Sequence, residues 1–159
     1  MIDKIVSLLE DKALANNPKR IREILEFRYI LEPEIAALAA RSLSPKDLAR
    51  IKTILDSQER DLLDDEEDAD EDLHFHMALA RATKNDVLVE VAAVLYDVLS
   101  ECRVSPLQNL TRRKVSLQGH QEIYAALRGR DSESSRVAMR NHLRDVESLL
   151  FGRPTDTSI

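Results

Sequence analysis

Apolar residues recur every three or four positions through most of the chain, which is the spacing of amphipathic helices. Ile2, Ile5, Val6, Leu9 and Ala13 predict a short helix over Ile2–Leu14, ended by Asn16-Asn17-Pro18. Ile21, Ile24, Leu25, Leu31, Ile35, Leu38 and Ala39 predict a long helix over Lys19–Arg41, with a kink or short break at Pro33. Ser44 as N-cap and Pro45 in the first turn start a third helix, which runs through Leu48, Ile51, Ile54 and Leu55 to about Leu63. A fourth is expected over Asp68–Ala82, followed by a Thr83-Lys84-Asn85 turn in which Asn85 caps the next helix. The near-continuous apolar run VLVEVAAVLYDVL makes Val87–Arg103 the helix expected to be most buried. A sixth helix follows Ser105-Pro106 and ends at Arg128, with Gly129 as its C-terminal cap. Asp131 then caps a seventh, Ser132 to about Leu150, and the tail GRPTDTSI is expected to be disordered. No segment reads as a strand. Short loops between helices imply an all-α fold, an antiparallel bundle of six or seven helices.

Composition agrees. The 159 residues amount to one domain and include only 3 Gly, 5 Pro and no Trp, too few turn formers for a β-sandwich or barrel. No stretch is apolar enough to span a bilayer, and Asp3, Lys4, Glu10 and Asp11 interrupt any secretory core near the start. A cytoplasmic location, with no membrane partner, is the expectation. The single cysteine, Cys102, excludes an internal disulfide framework and a multi-cysteine zinc site. It reads as a small core residue near a helix end.

The net charge of −6 sits largely in one place, because residues 64–72 carry eight acidic side chains in nine. Without them the remainder is only slightly basic. Neither balance describes a nucleic-acid surface, so the chain is not expected to bind DNA by itself. The acidic run suits a solvated loop leading into a helix N-terminus.

Three of the four histidines change the picture. His76 lies four residues after Asp72, so both side chains project from one helix face. His120 falls on the apolar stripe of Leu117, Ile123 and Leu127, and His142 on that of Ala138, Met139, Val146 and Leu149. His74 points elsewhere, outward. One inward histidine is ordinarily a hydrogen-bonded core residue. Three on inward faces, with a carboxylate one turn from one of them, suit a divalent cation of the Zn, Ni, Mn, Fe or Co type, with positions left open for another molecule.

The chain resembles the FadR-type C-terminal effector-binding domain (FCD domain) of GntR-family bacterial transcriptional regulators. The similarity spans roughly Arg20 to Leu150 in four ordered pieces. They are Glu26–Glu32 with Ala36–Ala40, Asp72–His76 with Ala80–Asn85, His120–Ile123 with Ala125–Asp131, and Met139–Leu143. The resemblance implies a helical bundle in which an Asp and three His hold a divalent metal ion, here Asp72, His76, His120 and His142, with Zn, Ni or Mn the expected ions. That set points to the metal-binding branch rather than the acyl-CoA-binding one. It further implies a small carboxylate effector, Arg28 as an anion contact, and homodimerisation. Arg28 also reads as a helix-surface residue paired with Glu32 at i,i+4. Asn85 reads as a cap, and Arg103 with the 105–116 segment could line a pocket.

The family carries a winged helix-turn-helix DNA-binding domain ahead of this one, and Met1–Lys19 is too short for it. Residues 1–17 are therefore expected to be a helix and linker from a missing DNA-binding domain, residues 18–151 the effector- and metal-binding domain, and 152–159 the tail. A stand-alone sensor is the alternative. DNA would then be bound only through the domain absent here, and no enzyme activity is expected. Two other readings remain: a metal-dependent hydrolase or lyase, for which Glu122 faces away from the site, and a structural helical dimerisation module without metal.

Overall fold

The computed structural model describes residues 17–64, 70–101 and 110–151. Among them are six helices and no strand: α1 (Pro18–Ser42), α2 (Pro45–Leu63), α3 (Asp70–Ala82), α4 (Asp86–Glu101), α5 (Leu110–Arg128) and α6 (Ser132–Phe151). The helix expected over Ile2–Leu14, the tail, Cys102 and Arg103 lie outside the described residues.

Local chemistry sets most boundaries. Asn17 accepts from Lys19 N at 3.0 Å and starts α1, with Pro18 in its first turn. Ser44 and Asp47 form a reciprocal capping box at α2, so both orphan amides are bonded. Asn85 accepts from Val87 N and Leu88 N and caps α4, as expected. Asp131 accepts from Ser134 N at 2.9 Å and starts α6.

The helix α5 ends at Arg128 with Gly129 at the cap position, as expected, and Arg130 is the left-handed residue beyond it, with φ 52°. Asp131 N bonds Ala126 O at 3.2 Å and Arg130 N bonds Leu127 O at 3.0 Å, so the carbonyls of the last turn are satisfied. Two expectations need correction. First, α1 runs unbroken through Pro33. Pro33 is buried on the inner stripe, where packing retains the helix despite the missing N–H donor. Second, α4 is not the most buried helix. Val87 is 68% exposed and Val91 38%, because α4 packs chiefly on α3. The buried position belongs to α3, where every residue from Phe75 to Ala80 is buried. That helix packs on α1, α2 and α4.

Long-range polar contacts give the helix directions. Glu34 and Tyr29 of α1 meet Arg136 and Arg144 of α6 in reverse order, so these two helices run antiparallel. Asp61 and Gln58 of α2 meet Arg113 and His120 of α5, again antiparallel. Asp72 and His76 of α3 meet Ser116 and His120 of α5 in the same order, a parallel pair. The core lies between these layers, with Phe75, Ile51, Leu79, Leu95, Ile123, Leu127 and Met139 fully enclosed.

Candidate metal centre

His76 comes from α3, His120 from α5 and His142 from α6. Each lies on an inward stripe, so bundle packing brings the three rings together in the interior. One ring nitrogen from each lies within 4.8 Å of the other two, and all three residues are buried. Phe75 stacks on His120 with centroids 3.9 Å apart and planes 16° from parallel, which fixes that ring's plane. Asp72 flanks the cluster: its Oδ1 is 3.5 Å from His120 Nε2 and accepts from Ser116 Oγ at 2.5 Å. His74 is exposed near Glu71, outside the cluster.

Proton positions follow from the partners. His120 Nδ1 is 2.9 Å from Gln58 Oε1, an atom that only accepts, so Nδ1 carries the proton and Nε2 a lone pair. His76 Nδ1 is 2.7 Å from Glu32 Oε2, and a proton there leaves Nε2 likewise bare. The Glu32 oxygen lies off the ring N–H direction, so this Nδ1 is close to its partner without a well-aligned hydrogen bond. The two Nε2 atoms face each other at 3.3 Å, with the Asp72 oxygen beside them. Ring nitrogens and a carboxylate oxygen thus converge on one point in the bundle. A divalent cation satisfies that arrangement. Two nitrogens bound tetrahedrally at about 2.1 Å sit about 3.4 Å apart, close to the separation present.

Electrostatics keeps the His120 and His142 rings neutral, the form that binds metal. Burial, then the neighbouring His142 ring, holds His120 well below the usual histidine range. Burial, then His76, lowers His142 to about 3.

Arg28 and Glu32 form the expected i,i+4 pair, but inside the bundle rather than on its surface. Arg28 Nε donates to Glu32 Oε1 at 2.5 Å, and Arg28 is 7% exposed and Glu32 2%. Burial opposes charge on both. Glu32 outweighs that penalty at Arg28 and keeps it protonated above its usual range. Arg28, then His76, hold Glu32 well below the ordinary carboxylate range. Burial, then the Glu32 charge, pushes the Tyr96 hydroxyl of α4 well above its usual range, and its ring lies 5.8 Å from the Arg28 guanidinium carbon. Glu122 is exposed and bonded to Gln118, so it is not a general base for the cluster.

Sequence reasoning missed Gln58, Gly119 and the burial of Glu32 beside His76. Glu32 fell on the apolar stripe of α1, a signal for burial. Gln58 had no such signal, since its partner is 62 residues away. Gly119 lies mid-helix, where glycine costs about 1 kcal/mol relative to alanine. A Cβ there would sit 2.5 Å from His142 Nδ1 and 2.9 Å from its Cβ and Cγ, so α5 and α6 approach only because the position is glycine. Gly119→Ala is expected to destabilise the chain by a net of about 1–2 kcal/mol, overpacking outweighing the propensity gain. A urea midpoint equal to or above that of the parent would contradict this.

The FCD domain family model matches residues 23–145. The Uxu operon regulator of Haemophilus influenzae is 33% identical over 135 residues, 81% of this chain and 50% of its own length. The HTH-type transcriptional regulator LutR of Bacillus subtilis is 32% identical over 148 residues, 88% of this chain and 66% of its own. The chain thus spans about half to two thirds of these relatives. Among solved structures, a GntR protein of Streptococcus agalactiae superposes with a TM-score of 0.73 over 84% of this chain and 61% of its own, at 22% identity, a likeness of fold.

Proposed function

Because the chain belongs to the FCD domain family, we propose that it is the effector-sensing part of a GntR-family transcriptional regulator, and that it binds one divalent metal ion together with a small carboxylate. The family and the relatives matched are transcriptional regulators, not enzymes. The observation that carries the metal reading is the convergence of three buried imidazoles from three helices, with the Nε2 atoms of His76 and His120 face to face at 3.3 Å.

In this reading Asp72, His76, His120 and His142 hold the ion, with Zn, Ni or Mn the expected ions. The ion would supply a Lewis-acidic point that polarises and orients a carboxylate oxygen. The rest falls to the protein. Three imidazoles and one carboxylate leave an ion one net positive charge, which favours an anionic ligand. Arg28 would take part of the ligand's charge, in competition with Glu32, which holds its guanidinium at 2.5 Å. Because the donors sit on α3, α5 and α6, a change at the centre is transmitted to three helices at once. DNA affinity would respond by linkage through a separate winged helix-turn-helix domain. A homodimer and a cytoplasmic location accompany this role. Among the described residues no helix is long and apolar enough to cross a membrane.

The test is metal analysis by mass spectrometry on untagged protein beside His142→Ala. About one divalent ion per chain, absent from the variant, is the expected result for a site with a single ligand set. No metal in either sample, and none taken up on addition, would sink the reading. Small hydroxy, keto and sugar acids and dicarboxylates would then be screened for thermal stabilisation of the loaded protein.

A further inference from the structure

Three helices give rings to the histidine cluster, and each of the other three reaches it in another way. From α2, Gln58 Oε1 meets His120 Nδ1 at 2.9 Å. From α1, Glu32 Oε2 meets His76 Nδ1 at 2.7 Å. From α4, the Tyr96 ring lies 5.6 Å from the His76 ring. Two of the three rings are thus each braced at Nδ1 by one oxygen from a helix that contributes no ring. We infer that Glu32 is a positioning residue for the metal centre, holding His76 with its Nε2 turned to the cation site. This rests on the metal-binding function proposed for the cluster.

The simpler account is an ion pair between Arg28 and Glu32 that only tightens α1. Three observations count against it. A surface pair at i,i+4 is easily solvated, whereas this pair is buried, where desolvation cancels most of the Coulomb gain. Arg28 Nε takes Oε1 at 2.5 Å, while its Nη2 reaches Oε2 at only 3.4 Å. Glu32 Oε2 is closer to His76, at 2.7 Å, than to the arginine. The carboxylate is therefore divided, one oxygen for Arg28 and one for the histidine. Without Glu32, the His76 ring could turn about its Cβ–Cγ bond, or carry its proton on Nε2. Either change removes a lone pair from the site.

A carboxylate 2.7 Å from Nδ1 also favours the proton there by its charge and leaves the lone pair on Nε2, so losing it weakens the ligand as well as disordering it. The stacked Phe75 constrains His120 but meets His76 edge-on, with centroids 5.6 Å apart and planes at 88°. His76 therefore depends more on Glu32 than His120 does on Gln58.

The experiment is a titration with Co(II), whose visible absorption reports coordination geometry, on the full chain, on Glu32→Gln and on the double variant Arg28→Met/Glu32→Gln. The double variant removes the buried unmatched arginine that the single one leaves. Circular dichroism checks that each variant is folded. Co(II) affinity is expected to fall about 10–100-fold in both, with a changed absorption spectrum. A purely structural role would move the unfolding midpoint and leave affinity and spectrum as they were. Unchanged affinity and spectrum in a folded variant overturn the proposal while leaving the metal site standing. A parent chain that takes up no Co(II) overturns both.

Discussion

Acidified in the absence of metal, the chain is expected to lose stability from about pH 7 downward, at a rate that approaches about 3 kcal/mol per pH unit well below 6.5. His120 and His142 are the cause. Burial, then the neighbouring rings, depresses both, His142 to about 3 and His120 well below 6.5. Well above pH 6.5 both residues are neutral whether the chain is folded or not, and stability does not depend on them. Below it the unfolded chain takes up protons that the folded chain refuses, at about 1.4 kcal/mol per pH unit for each group. The stability is therefore lost as pH falls, and for His142 the loss ends only near pH 3. Glu32 adds to it below its ordinary value of 4.5, since the Arg28 pair keeps it ionised in the fold. A domain with about 5–15 kcal/mol in hand unfolds within a few pH units at that slope. Urea midpoints from pH 7.5 to 5 test this, and a flat profile between 6.5 and 5 would refute it.

Phe75→Ala is expected to cost about 3–5 kcal/mol. Phe75 is fully enclosed in α3, stacked on His120 and edge-on to His76. Truncation leaves a cavity against two rings held on separate helices, which cannot collapse without moving the cluster. Denaturant unfolding of the metal-free variant gives the number. A cost below about 1.5 kcal/mol, as for a volume-conserving swap, would mean the ring is not the packing element described.

The caps at Ser44, Asn85 and Asp131 were legible in the sequence because capping is decided within three residues. The inward histidines were legible because stripe position on a helix is a matter of spacing alone. What failed needed knowledge of partners. Val87 and Val91 are as apolar as any core residue, but burial requires a second surface, and α4 meets chiefly α3. The cap at Gly129 was placed by type, but the left-handed turn at Arg130 was not legible, because the bonds to Ala126 and Leu127 fix it. Arg28 and Glu32 were seen as a pair, but not that the pair is buried and turned toward His76. That depends on where α1 lies against α3, which no local pattern encodes. Gln58 and Gly119 acquire meaning only from residues 62 and 23 positions away.

The packing of α4 also makes local stability uneven. A helix resting chiefly on one neighbour, with two valines in solvent, can detach at less cost than unfolding the bundle. Its amide protons are therefore expected to exchange through sub-global opening, ahead of those of α3 and α5. Tyr96, whose ring lies 5.8 Å from the Arg28 guanidinium carbon, would leave with it and open the Arg28–Glu32 pair to water. The outer wall of the centre and the centre itself would then belong to different cooperative units.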